Sequence, residues 1–464
     1  MGQIFPSSAR LFVLTVLAAC QYSEDGPHYL SHVGDSAPFS TNDSAESVTL
    51  SDTPPAVPGR NLLIVTLDAT RWDQISPEVA PWLAKKSGEV GMTFQNHWSV
   101  SNWTRASFPS MLSGYYPEHF GANFFTADAN DYNPIPDADI QSLAEILSAQ
   151  GYATSWDNAN DVAGSKVGLN DGEYDNYREK DKTQDDGDAS FGWLHDQGER
   201  TITWLEEQHG PWYAHVHVIE PHDSHDHLDP SCEATVQQLD GVCPFDVIHG
   251  GTNEMNSAAL GWSTTEVAAC QVAVAAAQDC EVLRIDTDIK AFMNQMQAGG
   301  FLDNTVVLVV ADHGEEHGEL RKGISWWNHH KGLYAAETRV FAWIYWPEST
   351  GPQSITAATS HVDLVPTMLT MLGIDPGNFL DGQPVWTVPE DRVIQSIFVN
   401  GGFKLFAATS TDTARHLIRN GQGEYELYNF GSDPEELNDL SATESAPSDL
   451  INAIDDMMAE TSSY

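Results

Sequence analysis

Positive charge is what this chain has least of: 21 Lys and Arg stand against 67 Asp and Glu, giving a formal charge of −46. The acids are spread along the sequence rather than gathered in a tail, so the surface is strongly hydrated and repels polyanions, which excludes nucleic acid as a partner. Small anions are repelled at long range as well, so a site that binds one needs a metal ion and local Arg or Lys to invert the field. Long apolar runs are also missing. The run at 11–19 is too short to span a bilayer as a permanent helix. Cysteine is scarce, with five residues: Cys20 directly after that run, and Cys232, Cys243, Cys270 and Cys280 within one stretch. At 464 residues the chain can still form a large core, either one α/β domain with an appendage or two domains.

The N-terminus places Arg10 before the short apolar run and ends it with Leu17-Ala18-Ala19-Cys20. This resembles a bacterial lipoprotein signal, and it implies cleavage before a lipidated Cys20 and a location in the cell envelope, at the outer membrane, with the lipid as the sole membrane attachment. Residues 21–58, rich in Ser, Asp, Thr and Pro, read as a flexible tether. In an exported protein the four remaining cysteines point to two disulfides, for which three connectivities exist. Pairing of neighbours, Cys232–Cys243 and Cys270–Cys280, closes two short local loops and is the expected arrangement. A Cys₄ zinc site is the alternative, but the spacings lack the short paired knuckles of structural zinc.

Carboxylates and imidazoles recur where apolar strands end. Residues 61–66, NLLIVT, read as a buried parallel strand that delivers Asp68 at its C-terminal end, the edge where open α/β sheets bind ligands. Residues 305–310 read as a second such strand, ending in Asp312-His313-Gly314-Glu315. Residues 212–222 alternate like a strand that places His215 and His217 on one face before Glu220-Pro221-His222 turns the chain; His225 and His227 beyond it read as solvent-facing. A helix at 140–150 leads through Gly151 into a strand, residues 157–192 read as a solvated acidic insertion, and 281–296 carries helical periodicity.

The stretch 99–121, SVSNWTRASFPSMLSGYYPEHFG, reads as a loop entering a helix whose N-terminus favours an anion beside Thr104. An ordinary helix N-cap is the plainer reading of that Thr.

These segments resemble, in order, those of the sulfatase family of the alkaline phosphatase superfamily, in particular members reading W-T-x-P-S-x-x-S-L-L-T-G where most sulfatases read C-x-P-S-R. Trp103, Thr104, Ser107, Ser110, Leu112 and Gly114 match, while the motif's Pro is Ala106 and the Arg position is Phe108. The resemblance implies Thr104 as nucleophile and metal contact, with Asp68, Asp312 and His313 as metal ligands. It also implies His217, His222 and His329 as metal or substrate contacts, and Lys331 as the local counter-charge. His361 and Asp363, in a segment reading S-H-V-D-L-V-P-T, are expected to be structural.

The family's second aspartate falls on Ala69, which thins an all-oxygen site. One or two divalent ions are therefore expected, zinc or manganese before calcium, because imidazole suits borderline metals. No Cys stands at the nucleophile position, so the formylglycine of most sulfatases is not expected.

The implied fold is a mostly parallel central sheet flanked by helices, with a small antiparallel C-terminal subdomain. Its expected parts are a catalytic domain at 59–375, a cysteine-bearing insertion at 231–280 and the subdomain at 376–464. The implied activity is hydrolysis of an anionic sulfate, phosphate or phosphonate ester. A phosphoethanolamine-type transferase is one alternative, although those enzymes carry several membrane helices. A non-catalytic binding lipoprotein on the same fold is the other.

Overall fold

The computed structural model describes residues 53–120, 140–169, 174–179, 194–222, 243–247, 261–330, 332–378, 380–400 and 403–461. Cys20, Cys232, His225, His227 and Lys331 lie outside the described residues, as does most of the 21–58 segment.

In chain order the strands of four or more residues begin with β1 (Asn61–Leu67), β2 (Gly91–Phe94), β3 (Ala153–Asn158), β4 (Asn176–Glu179) and β5 (Trp212–Val218). They continue with β6 (Thr305–Ala311), the hairpin β7 (Glu316–Arg321) and β8 (Ile324–Asn328), β9 (Ala342–Tyr345) and β10 (Pro352–Ile355). The last four are β11 (Val393–Asn400), β12 (Phe403–Ser410), β13 (Arg415–Asn420) and β14 (Tyr425–Asn429).

Among the described residues an eight-stranded sheet runs β10-β2-β9-β6-β1-β5-β3-β4. Only β9 opposes the common direction, pairing antiparallel with β6 on one side and β2 on the other. Strands β11 to β14 form a separate antiparallel sheet.

The apolar run that begins the domain explains why the sheet is buried on both faces. Along β1, Leu62 and Ile64 point into one core and Leu63, Val65 and Leu67 into another, the period of two expected of a strand. The first core is filled from helices α2 (Thr104–Ser113), α3 (Leu143–Ala149) and α6 (Leu364–Met371), and it continues into the C-terminal sheet and α7 (Ser448–Glu460). The second is filled from α1 (Pro81–Ser87), α4 (Leu194–Leu205) and α5 (Thr264–Ala298).

Helix α5 corrects two expectations. It is 35 residues long and starts at Thr264, so the second half of the expected 231–280 insertion is one continuous rod with the helix read at 281–296. Its start is a capping box in which Ser263 and Glu266 satisfy each other's backbone N–H groups. Cys270 and Cys280 therefore stand ten residues apart on one helix, about 15 Å along its axis, and cannot bond. The observed disulfide joins Cys243 to Cys270, and Cys280 is disulfide-bonded as well. The neighbour pairing is thus replaced by a link from the 243–247 segment onto the outer half of α5.

The acidic stretch read as a solvated insertion from 157 onward also begins differently. Asp157, Asn158, Asn160 and Asp161 are buried, the first two inside β3.

Candidate active site

Strands β1 and β6 pair in parallel with Leu67 opposite Ala311, which sets Asp68 and Asp312 side by side as each chain leaves the sheet. Both are buried, as is His313. Ala69 N and His313 N donate to Asp312 Oδ1 at 3.1 and 2.8 Å, whereas Asp312 Oδ2 is buried without a hydrogen-bond partner. His313 Nδ1 is 2.9 Å from the carbonyl oxygen of Gly314 and donates to it, so its Nε2 presents a lone pair, 3.6 Å from Asp68 Oδ1 and from Asp312 Oδ2. Gly314 has to be glycine: a Cβ there would stand 2.1 Å from Ala336 O.

The electrostatics call for a cation. Burial alone would raise Asp68, but the imidazoles of His222, His217 and His313 outweigh it and hold the carboxyl below the usual range. Asp312 is pushed well above that range by burial and by the charge of Asp68. Burial brings His313 down to about 4, against the pull of Asp68. One donor atom from each of Asp68, Asp312 and His313 lies within 4.8 Å of the others. Two carboxylates and a lone-pair nitrogen fixed by its partner, with one carboxylate oxygen left unsatisfied, fit a divalent ion.

Thr104 opens α2. Its predecessor Trp103, in extended conformation, takes the N-cap position, so the plain reading of Thr104 as the cap does not hold. The freed hydroxyl points across to the strand ends, with Oγ1 3.1 Å from His313 Nε2 and 3.5 Å from Asp68 Oδ1. One turn further along, Phe108 covers the His217 ring, with centroids 4.4 Å apart.

The predicted histidines separate into two groups. His217 reaches the site: Nε2 is 3.2 Å from Asp68 Oδ2, and Nδ1 donates to Asn158 Oδ1 at 2.8 Å. Its neighbour two residues back, His215, does not. It is stacked on Trp156 at 5.2 Å, bonded to Thr66 Oγ1 at 2.9 Å, and held well below its usual range by burial. His222 and His329 meet at 4.9 Å between ring centroids, and His329 lies 4.6 Å from His313, so both belong to the site. Lys331 is outside the described residues.

His361 and Asp363 are structural, as expected. His361 bonds the Ala311 carbonyl at 3.2 Å, and Asp363 ties the Ser360 N–H at 2.8 Å and holds Arg392 at 2.6 Å.

Sequence reasoning missed Asn158 and Asn160. Asn160 Nδ2 donates to Asp68 Oδ2 at 3.0 Å, and Asn158 fixes the His217 ring. The available signal was position, since β3 is parallel to β5 and its C-terminal end lies at the same edge of the sheet. Also missed were Glu315, 3.5 Å from His329 Nδ1, and Gln278, which reaches from α5 to Glu315 Oε2 at 3.2 Å and to the Ala69 carbonyl at 3.1 Å.

The family described as Sulfatase matches residues 60–374. The Escherichia coli K12 protein called uncharacterized sulfatase YidJ is 30% identical over 149 residues, covering 30% of this chain and 28% of that protein. The inner membrane protein YejM of Salmonella typhimurium is 27% identical over 149 residues, covering 32% and 23%. The matched segment thus spans about a quarter of the length of these relatives. Among solved structures, a protein in complex with its substrate D-glucosamine-2-N,6-O-disulfate superposes with a TM-score of 0.65 at 15% identity, over 87% of this chain and 98% of that one. The phosphonate monoester hydrolase of Agrobacterium radiobacter gives 0.65 at 16% identity, over 87% and 96%. Both show the shared fold.

Proposed function

The chain belongs to the sulfatase family, and from that premise we propose that it is a metal-dependent hydrolase of anionic esters with Thr104 as its nucleophile. The observation that carries this reading is the Thr104 hydroxyl at a helix N-terminus, 3.1 Å from His313 Nε2 and 3.5 Å from Asp68 Oδ1. An ion held by Asp68, Asp312 and His313 would supply Lewis acidity, lowering the pKa of that hydroxyl and screening the charge of the ester. Thr104 Oγ1 releases its proton to solvent and attacks phosphorus in line; its bond to phosphorus forms as the bond to the alcohol oxygen breaks. The alcohol departs with that electron pair and takes up a proton, a role we assign to His222 or His329, whose rings meet 4.9 Å apart beside His313. Water then attacks the phosphothreonine and returns Thr104.

Threonine chemistry selects among the esters. A phosphothreonine can be cleaved by water at phosphorus, whereas formylglycine enzymes expel sulfate by using a second hydroxyl on the same carbon, and Thr has one. Phosphate and phosphonate esters are therefore the favoured substrates. The lipobox-like segment ending at Cys20 supports a site in the bacterial cell envelope. The test is a panel of aryl phosphate, phosphonate and sulfate esters, offered with several divalent metals to wild type and to Thr104→Ala. Turnover by wild type that Thr104→Ala loses supports the reading; equal turnover by the two proteins rejects Thr104 as nucleophile.

A further inference from the structure

The exits of three parallel strands meet on one side chain. Gln278 is fully buried on α5, and among the described residues its Nε2 faces three oxygens. These are the Ala69 carbonyl after β1 at 3.1 Å, Glu315 Oε2 after β6 at 3.2 Å and the Pro221 carbonyl after β5 at 3.4 Å. All three are acceptors, so the amide can be turned only with its NH₂ toward them. Its Oε1 then accepts from His317 Nε2 at the start of β7.

Each exit carries a group of the site. Ala69 directly follows Asp68, and its backbone is left-handed at φ 54°, a strained state for alanine. That peptide is held from both ends: its N–H donates to Asp312 Oδ1 at 3.1 Å, and its carbonyl accepts from Gln278. Pro221 directly precedes His222, and the same helix reaches this turn again where Arg284 pairs with Glu220 at 3.3 Å. Glu315 turns its other oxygen to His329 Nδ1, 3.5 Å away. Asp68 is held in addition by Asn160 at 3.0 Å and His217 at 3.2 Å. The metal-binding carboxylate therefore keeps its place by several contacts, whereas Gln278 is a contact common to the approaches of both His222 and His329.

We propose that Gln278 is a positioning residue for the departure of the alcohol. By tying Pro221 and Glu315 to one amide it fixes the spacing of His222 and His329, whose rings meet at 4.9 Å. The inference rests on the hydrolase reading above, in which one of those imidazoles protonates the leaving oxygen. Gln278 acts through the Pro221 peptide and the Glu315 carboxyl rather than on the ester. A neutral amide suits the place: a carboxylate there would set an oxygen against three oxygens, and an apolar side chain would take a donor away from all of them.

The test uses the metal-loaded full chain and two esters of one phosphonic acid, ethyl and p-nitrophenyl. Ethoxide needs a proton as it leaves and p-nitrophenolate does not, so a misplaced proton donor is felt on the first. Gln278→Met keeps the volume and removes the donor. It should lower kcat on the ethyl ester about 10- to 100-fold more than on the p-nitrophenyl ester, with metal content retained. Gln278→Glu, which keeps the acceptor for His317, should show the same selective loss, and it decides the matter if Gln278→Met does not fold. Asp279→Asn weakens the neighbouring contact of the same helix with Gln74 and should leave the ratio of the two esters at its wild-type value. A wild-type ratio in the Gln278 variants, or an equal shift in Asp279→Asn, overturns the proposal and leaves the hydrolase standing. If wild type turns over neither ester, the hydrolase reading fails, and the tie is judged by amide hydrogen exchange. Faster exchange in the Gln278 variants at 69–71, 219–222 and 314–317 together upholds it; wild-type rates in the last two segments overturn it.

Discussion

Asp68 and Asp312 stand abreast at the ends of paired strands, and burial raises both, yet their net shifts are opposite: the first is held low by three facing imidazoles, and the second is pushed high by burial and by its neighbour. Such a pair keeps one proton between its members unless a cation replaces it.

A bound ion therefore has two measurable signatures. Elemental analysis of the purified protein should find zinc or manganese rather than calcium alone, and stripping with a chelator should lower the melting temperature, because the ion binds the folded state. Asp312→Asn should remove the metal while far-ultraviolet circular dichroism stays native, since the residue follows the strand rather than filling it. Tightly retained calcium as the sole metal would overturn the preference for imidazole-tolerant ions.

For Thr104 the size of the effect separates two roles. Losing a stabilising donor costs about 10²–10³ in turnover, whereas losing the covalent step costs several further powers of ten. Thr104→Ala should fall in the second class with metal content intact, and Thr104→Ser should retain measurable turnover because only a methyl is lost. Single-turnover kinetics on a chromogenic phosphonate ester reads both.

Asn160 acts on the metal only through Asp68, to which it donates at 3.0 Å. Removing such an orienting partner typically lowers metal affinity by about 10–100-fold. Asn160→Ala should do so in a competition titration against a chelating dye, with turnover recovering when metal is in excess. Unchanged affinity would show that the His217 contact alone suffices to hold the carboxylate.

Stability should also depend on pH through Glu118, outside the site. Burial raises its carboxyl to about 7, against an ordinary value of 4.5. The folded state then holds a proton that the unfolded chain releases, so the contribution of Glu118 to stability is greatest below pH 4.5, falls as pH rises toward 7 and levels off above it. The full span is on the order of 3 kcal/mol. Denaturant titrations across that window should show the slope in wild type and a flatter profile in Glu118→Gln; identical profiles would sink this assignment.

What could be read beforehand was carried by strands and their exits. The runs at 61–66 and 305–310 are apolar on every residue or nearly so, which only a strand buried on both faces permits, and the acids and imidazoles after them could be placed at one sheet edge before any coordinates. Asn160 escaped because it follows a strand that carries Thr154, Ser155, Asp157 and Asn158, residues that read as surface until their partners Asp175, Asn176, Arg200 and His217 are seen. The cysteine pairing escaped for a different reason. Separation in sequence favours closing short loops, while the Ala-rich 264–280 segment is helical and sets its cysteines about three turns apart. The S-T-T-E box at Ser263–Glu266 was the visible sign of that helix.

Helix α5 behaves as a beam. Its inner half is bedded on the sheet through Val282, Ile285, Ile289 and Phe292, its outer half is clamped by the Cys243–Cys270 bond, and Gln278 is the joint between the two. The 243–247 segment is thus bonded to the same helix whose Gln278 side chain donates to the carbonyl of Ala69, the residue directly after Asp68.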